Sequence, residues 1–405
     1  VSPPAAGVHE LADRLREVAE VLDRAVGDAG PGPDWCGAAA AAYAVASAAL
    51  RRRVAGVAAV LEELAGRLVA DASTVPVVAA ALVQDLLHAR LLLAVERDLA
   101  APGEPARADH AAALRDALAR IEATVDPVTG RPVEGHLLAY EPTAFGGDGA
   151  VTVAVGDPAT ADDVAVVVPG LGADASSAPR EVARALRLHE AARFLDPHDG
   201  NATVAWIGYD APDGPVEALT ERRAVAGGER LAEDLDDLLT ARPAGPAHLT
   251  VLGHSYGSTT AALGAYGPGL AADDLVLVGS PGAGGPVDRA ADTGLDPDRV
   301  WVARNSHDPV AALGAAGPLG LGDDPATEEW GGRRIRAEST EPADARDAHT
   351  AYFDHDGESL HHLALVVAGR HGEVEGAEPV RGSGLWAHDP ELDRDPASPP
   401  TRPVR

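Results

Sequence analysis

LTVLGHSYGSTTAAL, residues 249–263, opens as an apolar run, turns at two glycines that bracket Ser255, and continues in small residues suited to a helix. Almost any polar turn joins a strand to a helix, so the placing of Gly253 and Gly257 two positions either side of the serine needs a reason. In a G-x-S-x-G joint the serine backbone is strained, and Cβ atoms at the flanking positions would strike the neighbouring strand and helix. Such a turn lifts the Ser255 hydroxyl out of the sheet, over the N-terminus of the following helix, where it can serve as a nucleophile. A serine that only caps a helix does not require both glycines. The chain contains no second G-x-S-x-G.

Outward from this joint, short apolar runs alternate with helical stretches: VTVAV 151–155, VAVVV 164–168, ATVAWIG 202–208, LTVLG 249–253, LVLVG 275–279, VWVAR 300–304 and RRIRAE 333–338. Several are nearly all apolar and β-branched, the pattern of parallel strands covered on both faces. Helical connections of a dozen residues or more between them predict an open, mostly parallel sheet with ligands bound beyond the C-terminal strand ends.

A serine hydroxyl becomes nucleophilic only when a base takes its proton, and the base needs an orienting acid; in this architecture the chain order is Ser, Asp or Glu, His. Asp308, in ARNSHDPVAALG, follows the strand at 300–304 and is set by the turn at Pro309. His349, in ARDAHTAYFDHDGESL, follows the last strand by a loop and precedes a helix expected at about 359–368. Asp323 and Asp324 rank below Asp308 because they sit farther from a strand end, and His355, His361 and His362 are the other bases nearby. His254 and His307 adjoin the site in sequence as pocket-lining candidates. For the developing oxyanion, one donor is the backbone N–H of Tyr256. The second is assigned to Leu171 in VAVVVPGLGAD, where Gly170 and Gly172 let the backbone turn towards the serine and line the pocket.

Composition narrows the function classes. The net charge of -30 argues against nucleic acid or an anionic membrane as partner. It also disfavours anionic substrates unless arginines such as Arg180 or Arg304 line the entrance. Cys36 is the only cysteine, so no intrachain disulfide, CxxC pair or cysteine-based zinc site can form. No H-E-x-x-H or other ligand spacing occurs, so neither a metal nor a cofactor is expected. The most apolar region, 75–95, is interrupted by Gln84, Asp85, His88 and Arg90 and does not read as a membrane span. All basic residues are arginine, methionine is absent, and the chain starts at Val1, which leaves room for a preceding segment such as a cleaved signal peptide.

The first part of the chain is helical in period. Leu11, Leu15, Val18, Leu22 and Val26 form one stripe, and Tyr43, Leu50, Val54, Val57, Leu61, Leu64 and Leu68 another, separated by GDAGPGPDWCG. With helices expected at 76–99 and 108–125, residues 1–125 read as an all-α bundle. DPVTGRPVEG, 126–135, is read as a linker, 136–370 as the α/β domain, and 371–405 as a Pro/Gly/charge-rich mobile tail.

Taken together, VAVVVPGLGA, AWIGYDAP, VLGHSYGSTTA, DDLVLVGSPGAG, HDPVA and AHTAYFD resemble an actinobacterial family of α/β-hydrolase fold, serine-hydrolase-like and without a defined substrate. The resemblance covers about 136–370. It implies an α/β-hydrolase fold and places Ser255, Asp308 and His349 on the family's triad. Only about twenty residues separate the strand at 275–279 from the next, where lipases of this fold often insert a helical lid, which weighs against a true lipase. Trp35-Cys36-Gly37 resembles the W-x-G turn of helical-hairpin proteins exported by type VII secretion, and the alternative is a tryptophan that plugs a bundle end. The location is therefore cytoplasmic or exported. Tyr209 to Asp213 and Tyr352 to Asp356 match the Tyr-x-x-x-Asp/Glu export tail but lie inside the hydrolase region. The reading is a serine esterase acting on a small-molecule ester through an acyl-enzyme. Acyl transfer to another alcohol uses the same residues, and a scaffold that keeps the fold without the chemistry is the rival from another class. The sequence carries no signal for the oligomeric state.

Overall fold

A computed structural model describes residues 75–100, 105–126, 128–198, 200–242, 245–314, 321–339, 345–355, 357–382, 387–397 and 401. Contacts divide the chain into two units, Val1–Ala100 and Ala101–Arg405. In the first, helix α1 (Val75–Leu99) carries Pro76 in its first turn, as the sequence predicts. The expected hairpin over residues 11–68, with the Trp35 turn, lies outside the described residues. No helix among the described residues is long and apolar enough to cross a membrane.

The second unit is built on an eight-stranded sheet: β1 (Gly135–Glu141), β2 (Ala150–Val155), β3 (Asp163–Val168), β4 (Asn201–Ile207), β5 (His248–His254), β6 (Asp274–Val278), β7 (Val300–Ala303) and β8 (Arg333–Ile335). Their spatial order is β1-β2-β4-β3-β5-β6-β7-β8. The pairs β1/β2 and β2/β4 are antiparallel and all pairs from β4 to β8 are parallel. This is the α/β-hydrolase arrangement that the alternating strands and helices imply.

Strand β3 shows why these runs read as continuously apolar. Val164, Val166 and Val168 enter one hydrophobic layer, while Ala165 and Val167 enter the other. The first layer is closed by α4 (Arg222–Thr240), through Ala224, Leu231, Ala232 and Leu235, and by α5 (Tyr256–Tyr266). The second is closed by α3 (Ala178–Leu195) and α8 (Glu358–Val367), the latter through Leu360, Leu363, Ala364 and Val367. Two short helices, α6 (Ala311–Gly314) and α7 (Ala345–Thr350), follow β7 and β8.

Three features depart from the sequence reading. Strand β1 has no counterpart in the predicted runs: it is a half-buried edge strand with an irregular register between Leu137 and Ala139, so it lacks both the all-apolar and the alternating signature. Helix α2 (Pro105–Ala123), expected in the N-terminal bundle, falls in the second unit and packs on α3. Contacts thus divide the chain after Ala100, and an ion pair of 3.1 Å joins Asp126 of the 126–135 turn to Arg193.

The third departure is the C-terminal segment, which packs instead of moving freely. Gly376 and Val380 bridge to Ile335 and Thr327. Asp389 lies 3.1 Å from Arg304 and 2.8 Å from Arg334, all three side chains buried, and Arg394 Nη1 donates to Glu358 at 2.7 Å. Composition undervalues this segment because paired charges and backbone bridges fix it together with a single buried apolar anchor, Val380. Asp389→Ala would leave two guanidinium groups short of a buried counter-charge, and a loss of about 3–5 kcal/mol in unfolding free energy is expected in urea titrations.

Candidate active site

Strand β5 passes into α5 through Ser255, whose backbone stands at φ 58 and ψ -132. Apart from glycines, only Phe145 shares a positive φ among the described residues. A Cβ at Gly253 would lie 2.4 Å from the Gly257 carbonyl oxygen, and one at Gly257 would lie 2.3 Å from the Val168 oxygen. The glycines are thus demanded by close backbone approach, one to the helix and one to the end of β3. Ser255 N–H donates to the last carbonyl of β6, at Val278, over 2.9 Å.

His349, at the end of α7, brings Nε2 to 2.8 Å from the Ser255 hydroxyl oxygen, and its Nδ1 lies 2.8 Å from Asp308 Oδ2. A carboxylate only accepts, so Nδ1 carries the proton and Nε2 presents its lone pair to the serine hydroxyl. Asp308 is buried to 1 % exposure. Its Oδ1 accepts from the N–H groups of Val310 (2.8 Å) and Ala311 (3.2 Å), and Oδ2 also accepts from the Tyr352 phenol at 2.8 Å. Four donors on one buried carboxylate hold its charge and its direction.

Tyr352 lies in the AHTAYFD stretch and in an export-like pattern, but motif reading gives it no role at the site. Its hydroxyl accepts from Asn305 N–H at 2.9 Å while donating to Asp308, so it ties both ends of the acid loop together. Burial, and then the charge of Asp308, raise its pKa well above the usual phenol value, which keeps it a donor. The sequence signal for it is a tyrosine three residues after the histidine on one helical turn. Gly279 is the second omission: a Cβ there would lie 2.9 Å from Asp308 Oδ2 and 3.3 Å from His349 Nδ1, so only glycine leaves room for the pair.

His254, expected to line the pocket, instead braces the histidine from below. It is buried, and its Nε2 donates to the His349 carbonyl over 2.9 Å. Burial first, then Arg184 and His349, hold its pKa well below that of a free imidazole, so it stays neutral. His307 is exposed beside Asp308 and donates its N–H to Asn305. The rival acids and bases lie in other contacts: Asp324 pairs with buried Arg304, His355 contacts Thr401, and His362 is buried in α8 with its pKa lowered to about 4 by burial. Arg304 is therefore absent from the entrance, whereas Arg180 reaches the Gly172 carbonyl at 3.3 Å.

The loop after β3 abuts the serine. A Cβ on Gly170 would lie 2.7 Å from Ser255 Cβ and 2.9 Å from Tyr256 N. Tyr209 donates to the Pro169 carbonyl at 2.8 Å and Gly172 N–H donates to Pro212 at 2.8 Å, so both flanks of Leu171 are held. Tyr256 begins α5, where its N–H has no carbonyl one turn earlier in the helix. Its side chain is anchored elsewhere, donating to the Thr220 carbonyl at 2.6 Å.

The segment 279–299, between β6 and β7, contains only the short 3-10 turns Ala290–Thr293 and Pro297–Arg299, and no lid helix.

A family model described as alpha/beta hydrolase matches residues 146–318, a span with Ser255 and Asp308 but not His349. The chain is 37% identical over 297 residues to the uncharacterized protein Rv2079 of Mycobacterium tuberculosis, covering 67% of this chain and 44% of that protein. It thus spans less than half the length of that relative. The uncharacterized protein Rv0963c of the same organism is 30% identical over 207 residues, 48% of this chain and 75% of the relative. Among solved structures, the esterase LipW from Mycobacterium marinum aligns with 14% identity and TM-score 0.35, over 66% of this chain and 88% of that one. The thermophilic carboxylesterase EstE1, cloned from a metagenomic library, aligns with 15% identity and TM-score 0.35, over 66% and 97%.

The acid loop has its own titratable prop. Glu338 is buried and accepts from Ser306 N–H at 2.8 Å and the Ser306 hydroxyl at 3.0 Å, two residues before Asp308. Burial pushes its pKa up from 4.5 to about 7. Because the folded value exceeds the unfolded one, the folded chain holds the proton longer, and stability falls as pH rises from about 4.5 through 7. Glu338→Gln keeps an acceptor and a donor for Ser306 without the charge. It is expected to be more stable than the parent at pH 8 by up to about 3 kcal/mol, the gain vanishing near pH 4. Urea unfolding of both proteins across this pH range measures the difference.

Proposed function

The chain belongs to the alpha/beta hydrolase family, and from that premise we propose that it is a serine hydrolase that cleaves carboxylic esters through an acyl-enzyme. The observation that carries this reading is the unbroken relay of two 2.8 Å contacts from Ser255 through His349 to Asp308.

In the proposed reaction Ser255 Oγ attacks the ester carbonyl carbon while His349 Nε2 takes the hydroxyl proton. The carbonyl oxygen becomes an oxyanion that the N–H groups of Tyr256 and Leu171 receive. Collapse expels the alcohol, which takes the proton from His349, and leaves Ser255 acylated. Water, deprotonated by the same imidazole, then attacks the acyl carbon, and as the acid leaves, His349 returns that proton to Ser255 Oγ. Asp308 stays ionised throughout, holding the imidazole in the tautomer that faces the serine.

An uncharged, apolar ester fits the surroundings best. Leu171, Val216, Leu219 and Leu313 are exposed on segments that follow the C-terminal ends of β3, β4 and β7. The net charge of -30 disfavours anionic substrates, and Arg180, which reaches the loop after β3, is already paired with Glu181.

Fluorophosphonate should label the purified chain at Ser255, and p-nitrophenyl esters of graded acyl length should be turned over. Ser255→Ala is expected to abolish labelling and lower kcat by about 10⁶-fold, and Asp308→Asn by about 10⁴-fold. A folded chain that neither labels nor turns over any ester would return the fold to a scaffold role. Gly279→Ala, which crowds the Asp308 and His349 contact without removing a reacting group, should lower kcat more than it raises KM; steady-state kinetics on the best ester checks this.

A further inference from the structure

At the opposite end of β5 from the serine, a second cluster of side chains forms. We propose that His248, Asp274 and His371 bind one first-row divalent cation, best matched by Zn²⁺, as a clamp on the N-terminal edge of the sheet.

Their ligand atoms all lie within 4.8 Å of one another. Asp274 Oδ2 is the hub, 2.7 Å from His248 Nε2 and 3.0 Å from His371 Nε2. Two imidazoles and a carboxylate make a donor set that suits Zn²⁺, with a fourth position open to water. Around a tetrahedral ion with bonds of about 2.0–2.1 Å, ligand atoms stand about 3.3 Å apart, so Asp274 Oδ2 has to draw back from the two nitrogens, now 2.7 and 3.0 Å away, while all three stay inside the 4.8 Å that encloses them.

The supporting contacts already orient these ligands. His248 Nδ1 faces Asp163 Oδ1 at 3.1 Å and the Val367 carbonyl at 3.2 Å, two acceptors, so Nδ1 carries the proton and Nε2 points at Asp274. This carboxylate behind a ligating imidazole is the usual outer support of a metal site. Trp301 Nε1 donates to Asp274 Oδ1 at 2.7 Å, which reserves Oδ2 for the cluster, and the His371 ring packs on Trp301 at 5.3 Å. Asp274 is fully buried while the two histidines keep side-chain exposures of 21% and 19%, so an ion has a path in.

Another cation now touches the cluster. Arg299 Nη1 lies 3.3 Å from Asp274 Oδ2 and 2.7 Å from His371 Nδ1. Its side chain is 44% exposed. It also borders a hollow of about 380 Å³ lined by Asp273 and Asp296, to which the guanidinium can turn when the ion enters. The ion would tie the segment after α8 to β5 and β6, two strands already joined by their parallel pairing. It would sit about 20 Å from Ser255, the length of β5 at about 3.3 Å per residue, too far to act on the reacting atoms.

The test uses the whole chain, stripped with a chelator and titrated with ZnCl₂ by calorimetry and with Co²⁺ by visible absorption. One equivalent of Zn²⁺, a raised unfolding temperature reversed by chelator, and a Co²⁺ spectrum of nitrogen and oxygen ligation are expected. His371→Ala should weaken binding by about tenfold or more, and Arg299→Ala should bind as tightly as the parent or tighter. No bound equivalent overturns the proposal, as does an equivalent that His371→Ala and His248→Gln leave intact, since the ion would then sit elsewhere. Should His248→Gln fail to fold, His371→Ala decides alone. Ester turnover by the stripped chain reports on Ser255 separately.

Discussion

Two backbone segments meet at Ser255 with no space for a side chain between them. A Cβ on Gly257 would fall 2.3 Å from the Val168 oxygen and one on Gly253 would fall 2.5 Å from Ser258 Cα, so the helix after β5 begins in direct backbone contact with β3 and its own strand. That proximity forces the serine to φ 58, a conformation that costs about 1–3 kcal/mol and persists only where the surroundings over-determine it. Here β5 lies between β3 and β6, and both layers of the core close over it. Every other part of the site is placed relative to this joint.

The acid and the base reach it from two later segments whose positions are tied to each other as well as to the serine. Tyr352 links Asn305 to Asp308, His254 holds the backbone of His349, and Gly279 withholds a side chain from the space where Asp308 and His349 meet. A buried carboxylate is expensive to keep ionised, and Asp308 meets that expense with four donors. Glu338, a few residues past β8, has only Ser306 as donor to its carboxylate, and burial dominates its titration.

Charge is also what anchors the C-terminal segment. In a chain with 63 acidic and 33 basic groups, arginines are the scarce partner, and Arg304, Arg334 and Arg394 are spent internally on Asp324, Asp389 and Glu358. Arg304 is consequently unavailable to a substrate, and Arg180, itself paired with Glu181 at 2.6 Å, reaches the loop at Gly172. At the other end of β5, Asp163 and Asp274 gather His248, His371 and Arg299 in the same manner. One strand thus carries a polar cluster at each terminus, with apolar residues between them.

The sequence alone determined the strand, turn and helix around Ser255 and the mostly parallel sheet, and it singled out Asp308 and His349, from among many aspartates and fifteen histidines, as candidate partners of the serine. These were legible because they depend on local period, on glycine sterics and on the rule that side chains just past a strand end emerge at one rim. Strand β1 escaped because an edge strand with an irregular register carries neither period, and the packing of residues 371–382 and 387–397 escaped because composition records apolar area but not ion-pair geometry. The roles of Tyr352, Gly279 and His254, and the meeting of His248, Asp274 and His371, were decided by tertiary structure alone. Each depends on atoms brought within about 3 Å by the stacking of strands far apart in the chain, and residue spacing along a sequence contains no measure of that distance.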